Sequence, residues 1–498
     1  MPQICVYLKT LYISSIYNVH NAVNVGGSKM KHELPIKTKL KLAVTTPIVK
    51  GLFNALPHIP SSTVINFSKK VYGENSYPEG QKFIEKTFTT LKSVFKTSNS
   101  NCKKKIIQNM IINEGIVGQR VRKKITKEMG FDIPILMVVS PTQRCPLKCK
   151  GCYAAEHAKD EDLTFEAFDR VITQAKEMGI YFFVISGGEP YIYEDLFKIF
   201  EKHSDVYFQT YTSGITLAEK DHAEKLAKLG NVLPCISIEG FEEQTDERRG
   251  KGHFKRVEKA MANLRKHGVP FGFSATVTRE NNEILMSDKL VDYYVGLGCC
   301  LGYYFQYMPI GRAPVFELVP TPEQRMHRLE RIIELREKKP MLLADFWMDG
   351  PLVGGCLAGG RRYLHINNKG DAEPCVFAQA SDMNIYDSSL TEILRDSKLF
   401  AAIRKRQPYS DNLLRPCMII DVPSCWREAV EESGAKLSYE TADNVAKELR
   451  GNIEEFAARY AVLADPVWNE RYKKAYQKEN DYLRGMRKMF DVEAPSEG

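Results

Sequence analysis

The sequence predicts an α/β protein built on a partial six-unit (β/α) barrel, with a helical N-terminal region and a small cysteine-bearing C-terminal domain. Three observations carry this. From about residue 134 to residue 339, short apolar runs alternate with amphipathic helical stretches. Strands that are apolar along their whole length belong to parallel sheets covered by helices on their faces. Before Gly130 the pattern is helical and basic, and after about residue 350 the alternation stops. Six βα units are too few for a closed eight-stranded barrel and enough for an open, curved one.

The N-terminal region comes first. Of 498 residues, 43% are hydrophobic and 27% charged, which is globular rather than disordered composition. No apolar run approaches the roughly 20 residues of a spanning helix, and residues 1–24 lack the apolar block and cleavage site of an export signal. The expected compartment is the cytoplasm, with peripheral membrane association as a variant. Cysteines there serve as metal ligands or reactive thiols rather than disulfides. Through Gly130 there are 21 Lys and Arg against 6 Asp and Glu, and after it 49 against 56. Such a basic region suits an anionic membrane surface, an acidic partner or plain solvation; nucleic acid is not expected. Gly26-Gly27 ahead of Met30 fits a ribosome-binding sequence, so residues 1–29 read as an extension before the true start. Thr46-Pro47 opens a helix, with Ile48, Val49, Leu52, Phe53 and Leu56 on one face before Pro57 ends it. That stripe packs into a core or lies in a membrane interface.

The barrel elements follow in order. Strands are expected at 135–140, 180–186, 206–214, 232–240, 271–278 and 301–309. Helices are expected at 165–179, capped by Thr164, and at 194–203, 218–230, 254–268, 287–298 and 321–339. In barrels of this kind the chemistry sits at the C-terminal ends of the strands, which is where "SPTQRCPLKCKGCYAAEH" (140–157) falls. Residues 363–378 read as a hairpin turning at Asn368-Lys369-Gly370, and helices resume after Cys425 toward a charged, solvated end.

Cys145, Cys149 and Cys152 are the informative residues. Thiolates suit zinc and iron–sulfur clusters. A structural zinc takes four ligands, and only His157 is near enough in sequence to be a fourth. A cubane cluster on three thiolates instead keeps one iron open to substrate or cofactor. Cys145-x3-Cys149-x2-Cys152 followed by Tyr153 resembles the signature of the radical S-adenosylmethionine enzymes. The resemblance extends through "GGEP" (Gly187, Gly188, Glu189, Pro190), "YTSG" with Ser213, and "SIEG" with Ser237 and Glu239. Arg249 in "ERRG" and Pro309 in "MPIGRA" continue it. It implies that the three cysteines hold a [4Fe-4S] cluster with an open iron and that these other residues surround S-adenosylmethionine. Glu189 would meet its ammonium. Arg249, or its neighbour Arg248, would meet its carboxylate.

Cys356, Cys375, Cys417 and Cys425 form a second set, with Gly370 five residues before Cys375. They resemble the C-terminal extension called SPASM or, when shortened, Twitch, which implies one auxiliary [4Fe-4S] cluster; the alternative is zinc on the same ligands. Cys299 and Cys300 are adjacent before a strand, a poor geometry for chelating one metal, and Cys5, Cys102 and Cys235 read as ordinary buried or free thiols. The expected domains are 30–130, 131–345 (the radical core), 346–430 (the auxiliary domain) and 431–498. The resemblance implies reductive cleavage of S-adenosylmethionine to a 5′-deoxyadenosyl radical, an electron donor of ferredoxin or flavodoxin type, and an anaerobic setting. It also implies hydrogen abstraction from an unactivated C–H of a peptide or protein. The alternatives are a membrane lipid chain as substrate and, in another class, a non-catalytic iron–sulfur electron-transfer or zinc-binding module.

Overall fold

The structure is a computed structural model that describes residues 78–157, 161–312, 314–439 and 445–477 throughout, together with residue 442 and short pieces between 47 and 66. Its centre is a nine-stranded sheet in the order β7-β6-β5-β4-β3-β2-β1-β8-β9. The strands are β1 (Met137–Val139), β2 (Phe182–Ile185), β3 (Tyr207–Thr212), β4 (Val232–Ile238) and β5 (Gly272–Val277). They continue with β6 (Leu301–Gln306), β7 (Leu342–Asp345), β8 (His365–Ile366) and β9 (Ala372–Glu373). Every pair from β7 across to β8 is parallel, and only β9 runs antiparallel, to β8.

All six expected strands are present, each somewhat shorter than predicted. Five of the six helices are too: Phe165–Glu177, Leu196–Lys202, His253–Lys266, Asp288–Leu297 and Pro322–Lys338. The stretch 218–230 is instead two helices, Ile215–Glu219 and His222–Leu229. Two elements beside the barrel strands were not expected. β7 adds a further parallel strand beyond β6. Helix Glu242–Arg249 follows β4. The predicted hairpin exists as β8–β9, with Gly370 at φ 82° as its turn requires, but it docks onto β1, pairing Val138 with His365. The chain after residue 350 therefore extends the barrel's own sheet. A buried chain of hydrogen bonds seals that junction. Ser140 Oγ lies 2.7 Å from His365 Nε2, and His365 Nδ1 lies 2.6 Å from Glu373.

The basic N-terminal helices close the bottom of the barrel, at the N-terminal ends of the strands. Helix Pro78–Thr97 buries Phe83, Ile84, Phe88 and Phe95. After it, Ser100–Lys105, the π-helical Ile106–Gly118 and Gln119–Met129 run on continuously. Asn109 Nδ2 donates to Val206 O at 2.8 Å, and Glu114 accepts from Tyr181 N at 2.8 Å while pairing with Arg122. These bonds satisfy backbone groups exposed where strands begin. Of the apolar stripe expected near residue 50, Ile48, Val49 and Leu52 lie outside the described residues, as do 1–46. Phe53 and Leu56 are turned inward, with Phe53 packed on the Phe95 ring at 6.2 Å.

Helix Pro322–Lys338 makes three buried ion pairs, one to β7 of the barrel and two to the chain beyond it. Arg325 pairs with Asp421 at 2.5 Å, Arg328 with Asp345 at 2.7 Å and Arg336 with Asp349 at 2.5 Å. The Arg325 guanidinium also stacks over Tyr460 of helix Arg450–Val467 at 3.7 Å. The predicted solvated end is in fact anchored at its start, where Trp468 and Tyr472 are buried; residues 478–498 lie outside the described residues. Among the described residues, no helix is long and apolar enough to cross a membrane.

Candidate functional site

β1 ends at Val139, and the chain leaves the sheet into the loop that carries Cys145, Cys149 and Cys152. Three features hold that loop over the barrel mouth. A Cβ on Gly187 would overlap Thr142 O, and one on Gly188 would overlap Arg144 O, so the loop after β2 packs backbone to backbone on the cysteine loop. Gly311, at φ 75°, makes the same approach to Cys152 O after β6, and Arg312 N donates to that oxygen at 3.1 Å. Arg144 pairs with Asp162. The glycines thus serve loop packing, a role beyond the ligand approach the resemblance implies for Gly187 and Gly188.

All three cysteines line one cavity at the C-terminal ends of the strands, together with Gly187, Gly188, Ser213, Ser237 and both Arg248 and Arg249. Its deeper walls are apolar: Leu136, Val138 and Val184 from the first strands, then Tyr211, Phe305 and Phe346. Tyr153, also on the wall, holds its hydroxyl 2.8 Å from Ser186 Oγ and its ring edge-on to Phe377 at 5.4 Å. Burial pushes the Cys152 thiol above its ordinary pKa, and the guanidinium groups of Arg248 and Arg249 pull it partly back.

The remaining expected residues stand behind this surface. Glu189 is fully buried and accepts from Thr212 Oγ1 at 2.7 Å, Ser213 N at 2.8 Å and Ser213 Oγ at 2.5 Å. It braces β3 against the loop after β2 and caps the short helix Pro190–Ile192 that Pro190 begins. Glu239 is likewise buried and gathers both arginines on one oxygen. Arg249 Nη2 and Arg248 Nη1 each reach Oε1 at 2.6 Å, while Oε2 is buried without a partner. Arg249 makes a second bond to the same oxygen through Nε at 2.8 Å, whereas Arg248 Nε donates to Lys150 O at 3.2 Å. Pro309 is buried just past Tyr307 and Met308, which do reach the cavity. His157 packs on Tyr439 at 5.0 Å and is not on the cavity wall.

Sequence reasoning missed Gln306. It ends β6 on the cavity wall, accepts from Arg328 Nη2 at 3.1 Å, and leaves its Nε2 buried without a partner. Because arginine only donates, the amide orientation is fixed and the free atom is a donor. A polar residue at the end of an apolar strand was the available signal.

The second cysteine set divides. Cys356, Cys375 and Cys417 line one smaller cavity, and its walls Phe346, Leu357, Tyr363 and Phe377 are shared with the main one. Tyr363 donates to Cys375 Sγ at 2.8 Å. Burial, and after it Cys375, push Cys356 up to about 11; burial pushes Cys375 to about 11 and Cys417 to about 12. Cys425 is elsewhere, in the first turn of helix Pro423–Ser433 beside Ser424, Arg406 and Glu428. Cys102, Cys235 and Cys299 are buried thiols, and Cys5 lies outside the described residues.

A site that presents three thiols, two guanidinium groups and apolar walls fits a thiolate-held cluster beside a cofactor bearing a carboxylate. The comparisons agree. Residues 139–289 match the model of the Radical SAM superfamily. A PqqA peptide cyclase of Rhizobium meliloti is 28% identical over 324 residues, covering 60% of this chain and 84% of that protein. An AdoMet-dependent heme synthase of Oleidesulfovibrio alaskensis is 25% identical over 315 residues, covering 57% and 80%. In fold, the chain is similar to Streptococcus suis SuiB, solved bound to its precursor peptide SuiA, with a TM-score of 0.50 at 20% identity over 58% of this chain and 71% of that one. Residues 139–289 are a domain of the radical S-adenosylmethionine superfamily, and the relatives the chain resembles are enzymes.

Proposed function

We propose that this enzyme abstracts hydrogen from an unactivated C–H on an apolar side chain of a peptide or protein. One observation carries the reading: the three-cysteine loop and the paired arginines open onto a chamber whose deep walls are hydrocarbon and aromatic. A peptide cyclase among the relatives supports the substrate class. In this reading Cys145, Cys149 and Cys152 hold the [4Fe-4S] cluster that S-adenosylmethionine joins. Together they supply a 5′-deoxyadenosyl radical when both are bound.

The chain's own contribution is binding, orientation and the exclusion of water. Arg249, the more firmly held of the two arginines, positions the carboxylate of S-adenosylmethionine, and Arg248 assists. Ser213 and Ser237 supply polar contacts at the ends of β3 and β4, with Glu189 and Glu239 keeping that wall in place behind them. Tyr153 lies between the cysteine loop and Phe377. The apolar walls admit an aliphatic or aromatic side chain and leave bulk water no partners. The second set of cysteines carries an auxiliary iron–sulfur cluster. The shared cavity wall of Cys356, Cys375 and Cys417, lined otherwise by hydrocarbon and aromatic groups, supports that reading. A ferredoxin or flavodoxin in an oxygen-free cytoplasm supplies electrons.

The test follows the hydrogen. Reduced, reconstituted enzyme is incubated with S-adenosylmethionine and either the peptide fraction or the lipid fraction of source cells grown in deuterated medium. Deuterium in the 5′-deoxyadenosine recovered from the peptide fraction is the expected result. Deuterium arriving only from the lipid fraction would replace this reading with lipid chemistry.

A further inference from the structure

The second cysteine set was expected to supply four ligands, and the fold gathers three. Each of the three sulfurs accepts a backbone N–H from the residue two positions on: Ala358 N to Cys356 at 3.5 Å, Phe377 N to Cys375 at 3.5 Å and Ile419 N to Cys417 at 3.4 Å. Such bonds stabilise a thiolate and tune the cluster it holds. The first set repeats the pattern, with the N–H of Leu147 on Cys145 and that of Ala154 on Cys152. Cys425 has a different setting. It lies inside a helix, its own N–H bonded to Val422 O at 3.0 Å, and it is absent from the wall that the other three share.

Among the described residues, no other side chain takes the fourth place. Asp421 is nearest in sequence to Cys417, but its carboxylate is engaged by Arg325 at 2.5 Å and by the backbone N–H of Cys417 at 3.0 Å. Apart from the cysteines, the cavity wall is hydrocarbon and aromatic, with the Met418 thioether and the Tyr363 hydroxyl as its only heteroatom side chains besides the Trp347 indole, a donor. The Met418 sulfur accepts from Tyr409 at 3.3 Å, and the Tyr363 hydroxyl is already bonded to Cys375. On the side of Phe346, Leu357, Tyr363 and Phe377 the cavity abuts the main chamber.

We infer that the auxiliary cluster is held by Cys356, Cys375 and Cys417 alone, that Cys425 is not a ligand, and that its fourth iron is open to a donor atom entering from the main chamber. This rests on the proposal of an auxiliary cluster and deepens it. The chamber then lies between two clusters, each with one exchangeable position, and a nitrogen, oxygen or sulfur donor on the substrate can anchor at the second while its C–H is presented toward the first.

The experiment uses the full chain carrying Cys145→Ala, Cys149→Ala and Cys152→Ala, which leaves only the second site. After anaerobic reconstitution, iron and sulfide are counted, and the reduced cluster is observed by electron paramagnetic resonance with and without ¹³C-labelled cyanide. The expected result is about four irons per chain, unchanged in number and spectrum when Cys425→Ala is added, and a ¹³C hyperfine coupling once cyanide is present. Adding Cys417→Ala instead should remove most of the iron. The inference is overturned if Cys425→Ala loses iron as Cys417→Ala does, or if cyanide gives no coupling to an intact cluster. The cyanide measurement needs no change in the second set, so a folding failure in either variant leaves it decisive. A chain that takes up no iron at the second site overturns the auxiliary cluster itself, an outcome distinct from a cluster on the wrong ligands.

Discussion

The two cysteine sites present the same donors by opposite routes. Cys145, Cys149 and Cys152 fall on one loop leaving β1, at the mouth of the barrel and beside two arginines. Cys356, Cys375 and Cys417 come from three separate segments, before β8, after β9 and next to the Asp421–Arg325 pair, and line one cavity. The first site is therefore local in sequence and open to charge. The second is a product of the tertiary fold, walled by aromatic rings. A local site can be recognised from spacing, whereas a tertiary one depends on which elements finally meet.

Substitutions should separate the two. The largest effect is expected for Cys149→Ala, which should abolish cleavage of S-adenosylmethionine while the chain keeps about half its iron, measured by product analysis and metal content. Arg325→Met leaves Asp421 buried without its charge partner, a loss of about 3–5 kcal/mol. It should lower the unfolding temperature and deplete iron at the second site before the first. Arg249→Ala removes a charge-assisted contact worth about 1.5–3 kcal/mol, so S-adenosylmethionine should bind roughly 10- to 100-fold more weakly; Arg248→Ala should cost less. That order would reverse if Arg248 were the main carboxylate contact.

The second site's thiols offer a finer probe. Burial holds Cys356 and Cys375 near 11 and Cys417 near 12, above the ordinary thiol range. A raised pKa leaves the protonated thiol dominant at neutral pH. In cluster-free protein their alkylation should thus climb about tenfold per pH unit from pH 7 to 10, without the levelling above pH 9 of an exposed thiol. The smallest effect belongs to Tyr363→Phe. Losing the hydroxyl's bond to Cys375 removes stabilisation that grows with negative charge on the sulfur, so the second cluster's potential should fall in a redox titration while the first is unmoved.

Much of this was legible beforehand, and the gaps have physical causes. The barrel strands and the three-cysteine loop were visible because parallel strands are continuously apolar and the ligands lie close together. Helix Glu242–Arg249 was not, since "EEQTDERR" has no apolar stripe to give it a period. β7 was missed because "LLAD" is only four residues long and runs into an irregular turn. The hairpin at β8–β9 announced itself through its Gly370 turn, but its pairing with β1 is a contact across more than two hundred residues that no local pattern encodes. Glu189 was expected to face an ammonium, and its place as a buried brace for Thr212 and Ser213 depends on how β2 and β3 align. Cys425 was grouped with Cys356, Cys375 and Cys417 through the resemblance to the SPASM extension, yet it sits in the helix that Pro423 starts and is not on the wall the other three share.

The most direct measurement is of what the first site does with S-adenosylmethionine. Anaerobically reconstituted protein, reduced and given S-adenosylmethionine, should release 5′-deoxyadenosine and methionine, and the Cys145→Ala/Cys149→Ala/Cys152→Ala chain should release neither. Iron-loaded native protein that yields no 5′-deoxyadenosine with a competent reductant and its peptide fraction present, or a variant that yields as much as the native chain, would contradict the account.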